Sequence, residues 1–393
     1  MPIKTTAASA AAALTMAMSS SAGAALTFDT DSGWAFGLTG YVPVFAIASQ
    51  TDSKDSVDAD GTVTRGADDN FAISTGFNPV TLQFNIQAPT TANGIDVSGH
   101  FQVNNHIGGG GTDELNGGFD NPASDGNGIE SRVAKLMVSG SFGTFDIGKG
   151  FGIFGTPAIG DEGSAMGVGD FGGIAGGSAT GGRIGTGYFY ANFNPRVIYI
   201  APDLNGLQFK VGIFNPTVPT GGDYNAGTPR VEAGLTYSTD MFAVWTSGGY
   251  QNVEAVGGEL EDYTQSGVDA GGSFSIGGFD IRGNYSITTN TGGAVWGIAP
   301  EVDADGEAAD DEYHQWYVEP TYTLGSATFG VSYGEGELDV SDATTRELTM
   351  GFVHYDVTEQ FTLIGELQHS NVDGDDTSDA NYDAFIVGSQ FTF

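Results

Sequence analysis

Apolar and polar residues alternate with period two along most of this chain. Val80, Leu82, Phe84 and Ile86 alternate with Thr81, Gln83, Asn85 and Gln87. The same rhythm recurs at Ile95–Asn104, at Phe279–Ile287 and at Ala327–Tyr333. Period two is the signature of strands with one apolar and one polar face, and helical periodicity is absent. Sixteen segments read this way, from 33–47 to 382–393, among them 70–88, 129–139, 144–151 and 183–201. Their connections alternate strictly between long and short. The long set is 48–69, 108–128, 152–182, 216–229, 251–266, 289–311, 336–345 and 372–381, and the short set includes Thr239-Asp240 and Gly277-Gly278. One phase flip, at Gly76-Phe77-Asn78-Pro79, reads as a bulge inside a single strand, because a turn there would break the alternation. Alternating segments of about ten residues, an even strand count and unequal loops predict a 16-stranded antiparallel transmembrane β-barrel, apolar outside and polar inside.

The first residues predict export. Ala7 to Met18 is a weakly apolar run, and Ala22 and Ala24 offer a small-x-small cleavage site. Residues 1–24 therefore read as a cleaved signal peptide and 25–393 as one barrel domain. Composition narrows the function further. Twelve Lys and Arg against 49 Asp and Glu leave a formal charge of −37, which opposes nucleic-acid binding. No cysteine is present, so thiol catalysis and disulfides are excluded. The histidines, His100, His106, His314, His354 and His369, show no metal-ligand spacing, and no Gly-x-Ser-x-Gly elbow occurs. The expectation is a barrel that is not an enzyme and carries no cofactor.

The stretch Glu130 to Gly140, followed by Phe142-Gly143-Thr144-Phe145-Asp146-Ile147-Gly148-Lys149, resembles the Gram-negative general porins. Gly182-Arg183-Ile184-Gly185 and the turn Tyr199-Ile200-Ala201-Pro202-Asp203-Leu204-Asn205-Gly206-Leu207 extend the resemblance to roughly residues 129–210. Phe393 closes a final strand whose Phe385, Val387 and Phe391 share its face. That ending resembles the assembly signal of outer-membrane proteins. The resemblance implies an outer-membrane channel with a third loop, 152–182, folded into the lumen. It also implies a homotrimer, contact with outer-membrane lipid and lipopolysaccharide, and handling by the barrel-assembly machinery. In this family, carboxylates on the third loop face basic residues on the wall. Here the loop offers Asp161, Glu162 and Asp170, and the wall offers Arg132 and Arg183 at the positions that match the family. Lys210 and Arg282 face inward by strand parity alone, and Lys135 is ambiguous.

Substrates of such a barrel would be small hydrophilic solutes and ions diffusing passively. The long connections hold 31 of the 49 acids and only two basic residues, Lys54 and Arg65. An acidic mouth concentrates cations, so a cation preference is expected. Glu301, Asp303, Asp305 and Glu312 have part of a calcium-loop spacing, which makes them a weak calcium candidate in a chain this acidic. Two alternatives remain. A substrate-specific channel would need an aromatic track, whereas the aromatics here fall mostly on the outward parity. A non-transporting adhesin or structural barrel would need fewer strands and a plugged lumen.

Overall fold

The computed structural model describes residues 26–53, 56–57, 63–64, 67–76, 78–105, 129–163, 182–218, 224–256, 262–297, 311–339, 344–373 and 380–393. The expected signal segment, Asp170, Glu301, Asp303 and Asp305 lie outside them. Sixteen antiparallel strands close into a barrel. The first half comprises β1 (Ala35–Ser53), β2 (Ala67–Ser74 and Val80–Gln87), β3 (Asp96–Asn105) and β4 (Ile129–Glu130 and Ala134–Gly140), then β5 (Gly143–Phe151), β6 (Phe193–Ile200), β7 (Leu207–Phe214) and β8 (Arg230–Ser238). The second half comprises β9 (Phe242–Ala255), β10 (Tyr263–Ile276), β11 (Phe279–Thr289) and β12 (Glu312–Leu324), then β13 (Ala327–Asp339), β14 (Thr344–Thr358), β15 (Phe361–Asp373) and β16 (Ala380–Thr392). Each strand pairs with its sequence neighbours, and β16 returns to β1 from Ala380↔Ser53 to Thr392↔Tyr41. Among the described residues no helix is long and apolar enough to cross a membrane.

Strand parity sets the two faces. On β5, Phe145 and Ile147 are each 40% exposed, whereas Asp146 between them is 3% exposed. The same division holds at Phe329 and Val331 around Gly330, and at Phe385 and Val387 around Ile386. Large apolar side chains left outside are what a lipid-embedded wall requires.

The phase flip in β2 is a bulge, as its sequence implies. Tyr41 pairs with Thr81 and Phe45 with Ser74, so four steps along β1 match seven along β2. An odd excess exchanges the two faces, which is why the apolar set changes phase there. The Asp203–Gly206 turn also has a local cause. Asn205 and Gly206 both adopt positive φ, at 57° and 90°, and Asp203 Oδ1 accepts the Gly206 N–H at 3.1 Å. A Cβ on Gly206 would stand 2.1 Å from the Ser238 carbonyl, so only glycine fits.

The chain ends on the seam. Phe393 donates its N–H to the Gly40 carbonyl at 3.0 Å and accepts the Gly40 N–H at 2.7 Å. A short strand, Leu26–Asp29, pairs with Ala35–Leu38 beyond that point and continues the line of β16. The expected strand 183–201 is shorter than its pattern suggested. It begins at Phe193, because Gly182, Gly185 and Asn192 turn the backbone at φ 59°, 78° and 52°. Residues 182–192 therefore belong to the connection between β5 and β6.

Candidate functional site

The described parts of that connection, residues 152–163 and 182–192, lie inside the barrel, and the wall supplies many of their hydrogen bonds. Ile153 and Phe154 donate their N–H groups to Glu232 Oε2 at 2.6 and 3.0 Å. Gly155 donates to Ser247 Oγ at 3.2 Å, and Ser247 donates its N–H and hydroxyl to Asp269 Oδ1, each at 2.7 Å. Arg282 donates to the Pro157 carbonyl at 2.9 Å and Tyr317 to the Ala158 carbonyl at 2.7 Å. Glu162 and Gly163 then donate to the Glu319 carboxylate at 2.6 and 3.3 Å. A loop inside a barrel has no ladder for its amides, and buried backbone N–H groups must be satisfied. Inward carboxylates on β8, β10 and β12 meet that need, and bonds to a charged acceptor are roughly twice as strong as neutral ones.

The returning limb, from Gly182, packs against β11, β12 and β14. Arg183 donates to the Thr186 and Leu348 carbonyls at 3.4 and 3.3 Å and lies 5.6 Å from the centre of the Tyr317 ring. Tyr313 donates to the Gly185 carbonyl at 2.6 Å, and Gly187 donates to Gln315 Oε1 at 3.2 Å. Phe189 stacks on Phe154 of the entering limb at 4.7 Å, and Trp296 closes on both. On the strands the aromatics lie mostly outward, as expected, with Phe84, Phe145, Phe209, Phe279 and Phe329 among the exposed ones, and a smaller set faces inward. Tyr41, Phe45, Trp245, Tyr313, Tyr317 and Phe352 occupy inward positions and are buried. Tyr317 and Phe352 meet the entering limb at Ala158 and Gly163, whereas Phe45 packs with Ile47, Ile364 and Tyr382 of the wall.

The wall of β2 to β7 differs. Its inward residues Gln83, Asn85, Ser98, His100, Lys135, Ser139, Thr144 and Lys210 keep partial exposure. One row runs across it through Asn85↔His100, His100↔Lys135, Lys135↔Gly148 and Gly148↔Arg196. Asp146, two residues from Gly148, accepts from Lys135 Nζ and Arg196 Nη2, both at 2.9 Å. A Cβ on Gly148 would lie 2.4 Å from the Ala134 carbonyl, so glycine brings β4 close to that row. His100 bonds Asn85 at 2.7 Å and Ser98 at 3.0 Å.

The positions singled out in the sequence divide accordingly. Asp161 and Glu162 lie on the in-folded limb, Asp161 buried and Glu162 half-buried. Burial pushes the Glu162 carboxyl above its ordinary pKa, Asp280 adds to the rise, and Arg282 opposes it. Arg282 is bonded to the limb itself. Arg132 sits in the break of β4, with its guanidinium 5.5 Å from the Phe193 ring centre. Arg183 is a loop residue with no exposed surface, so the structure holds its guanidinium behind the returning limb. Lys210 stays half-buried on the β7 wall. Glu312 opens β12 on the exposed side, 3.6 Å from His314. Sequence reading passed over Arg196, Arg230, Glu232 and Glu319, although each stands at an inward position that parity alone identifies.

A family model described as Gram-negative porin matches residues 6–375. Among curated protein sequences none matches. Solved structures share the fold at low identity. The outer-membrane channel DcaP of Acinetobacter baumannii is 16% identical with a TM-score of 0.68, over 93% of this chain and 99% of that one. An anion-selective porin from Comamonas acidovorans is 13% identical with a TM-score of 0.60, over 92% and 100%. OmpF of Salmonella typhi, in complex with daunomycin, is 14% identical with a TM-score of 0.59, over 94% and 100%. With a sixteen-stranded barrel, a loop pinned within it and a match across nearly all of its length, the chain belongs to the Gram-negative porin family.

Proposed function

We propose that this outer-membrane barrel is a water-filled channel for passive diffusion of small hydrophilic solutes and ions, with a preference for cations. One observation carries the reading. The described entering limb, residues 152–163, is bonded to one side of the wall through Glu232, Ser247, Arg282, Tyr317 and Glu319, while polar residues of β2 to β7 are partly exposed. Porin folds are normally channels without catalysis. The cation preference rests on the acidic connections, whose 31 carboxylates outnumber two basic residues. Charges far from the narrowest ring are screened first, because the screening length falls from about 10 Å at 0.1 M salt to about 3 Å at 1 M. Export through a cleaved signal segment, homotrimer assembly, contact with lipopolysaccharide and use of the barrel-assembly machinery belong to the same proposal. The test is planar-bilayer recording of purified protein across a KCl gradient. Stable conductance with a cation-directed reversal potential at 0.1 M, fading toward 1 M, is the expected result. Absence of conductance would remove the channel, and an anion-directed potential at 0.1 M would remove the cation preference.

A second reading, a substrate-specific channel, is favoured by a basic wall residue that has no partner among the described residues.

A further inference from the structure

Lys210 is that residue. Its ammonium makes no hydrogen bond or ion pair with any described residue, while every other basic group on the nearby wall has a partner. Asp146, the carboxylate that acts on it most, already accepts from Lys135 and Arg196. Lys135 acts on it with like charge and more strongly, so this part of the wall favours an incoming anion. The surroundings of Lys210 are apolar on both sides. In its row Ser139 pairs with Thr144, Thr144 with Ile200, Ile200 with Lys210, and Lys210 with Gly234. Ile200 is partly buried and packs on the cluster of Ile153, Ile198 and Phe214. A Cβ on Gly234 would meet Ile153 Cγ2 at 2.9 Å, so the entering limb crosses the wall beside Lys210. Lys210 thus stands where the loop leaves the wall, at the edge of the partly exposed lumen.

We infer that Lys210, flanked by Ile200, forms a lumen subsite for a carboxylate carried on a small apolar body. A lone ammonium beside isoleucine matches one negative charge and one apolar surface. A multiply charged anion would call for more donors than the row provides, since the Ser139 and Thr144 hydroxyls are bonded to each other at 2.9 Å. The subsite deepens the channel reading and rests on it.

The experiment records KCl conductance of the purified barrel while benzoate, acetate or neutral benzamide is added. Benzoate should reduce the current saturably, with half-saturation about tenfold below that of acetate, and benzamide should have no effect. K210Q should abolish the benzoate effect and K210R should keep it. Should K210Q fail to form a heat-resistant barrel, I200S decides, and it should bring benzoate to the level of acetate. Normal KCl conductance without saturable benzoate block, or equal block in K210Q, overturns the subsite and leaves the channel standing. Equal half-saturation for benzoate and acetate overturns the apolar component. No KCl conductance in the wild type removes the channel and the subsite with it.

Discussion

Arg230 and Glu232 stand two residues apart on β8, both point into the barrel, and their side chains meet at 2.8 Å without solvent exposure. The guanidinium lies 5.1 Å from the ring centres of both Phe214 and Trp296. The far oxygen of Glu232 holds the start of the in-folded loop. One carboxylate therefore joins an ion pair on the wall to the element that narrows the lumen.

Removing that carboxylate should cost more than a surface pair would. Glu232→Ala removes the counter-charge of a buried cation, which keeps only Thr217 Oγ1, and leaves two backbone donors unpaired. Breaking a buried pair typically costs about 3–5 kcal/mol. The variant should lose its heat-resistant form at lower temperature and show larger, noisier single-channel currents. Wild-type current and melting would mean that the loop is held by packing alone.

Arg132 and Arg183 should separate in a test of selectivity. Arg132 retains some exposure, so Arg132→Gln should shift the reversal potential toward cations with little loss of stability. Arg183 is enclosed by carbonyls and Tyr317, so Arg183→Gln should lower stability by about 2 kcal/mol through the loop. A selectivity change in R183Q equal to that in R132Q, at unchanged stability, would place both guanidinia in the ion path.

The raised carboxyl pKa of Glu162 carries a sign. The folded loop holds the proton more tightly than an open one, so the folded form is penalised as pH rises above the ordinary carboxylate range. The penalty grows as pH rises above the ordinary carboxylate range and is absent well below pH ~4. Glu162→Gln should therefore raise the barrel's melting temperature at neutral pH and leave it unchanged in acid. An equal shift at both pH values would assign the effect to something other than ionisation.

Deleting Phe393 should impair assembly while export continues. The deletion removes both backbone bonds to Gly40 at the seam as well as the terminal ring. Heat-resistant barrel at wild-type levels in the truncated protein would argue against an assembly role.

Much of the architecture was legible in the chain. Alternation showed which residues of β11 and β13 face lipid, the odd excess at Gly76–Pro79 showed as a phase change, and loop lengths placed the long third connection. The partnerships of that connection were not legible. Arg183 and Ile184 read as the opening of a strand from the resemblance of Gly182-Arg183-Ile184-Gly185 to the family's motif, and the turns at Gly182 and Gly185 have no periodic signature that would have corrected it. Glu319 and Glu232 read only as inward acids, since nothing near them in sequence names the amides of Glu162 and Ile153 as their donors.

Period two and unequal connections thus determined the barrel, because each is local and repeats along the chain. Only the tertiary structure decided which inward groups meet. Glu319 and Glu162 are 157 residues apart in sequence, as are few partners that local patterning can relate. Barrel closure and the infolding of one loop bring them to 2.6 Å, and the same closure leaves Lys210 without a partner among the described residues.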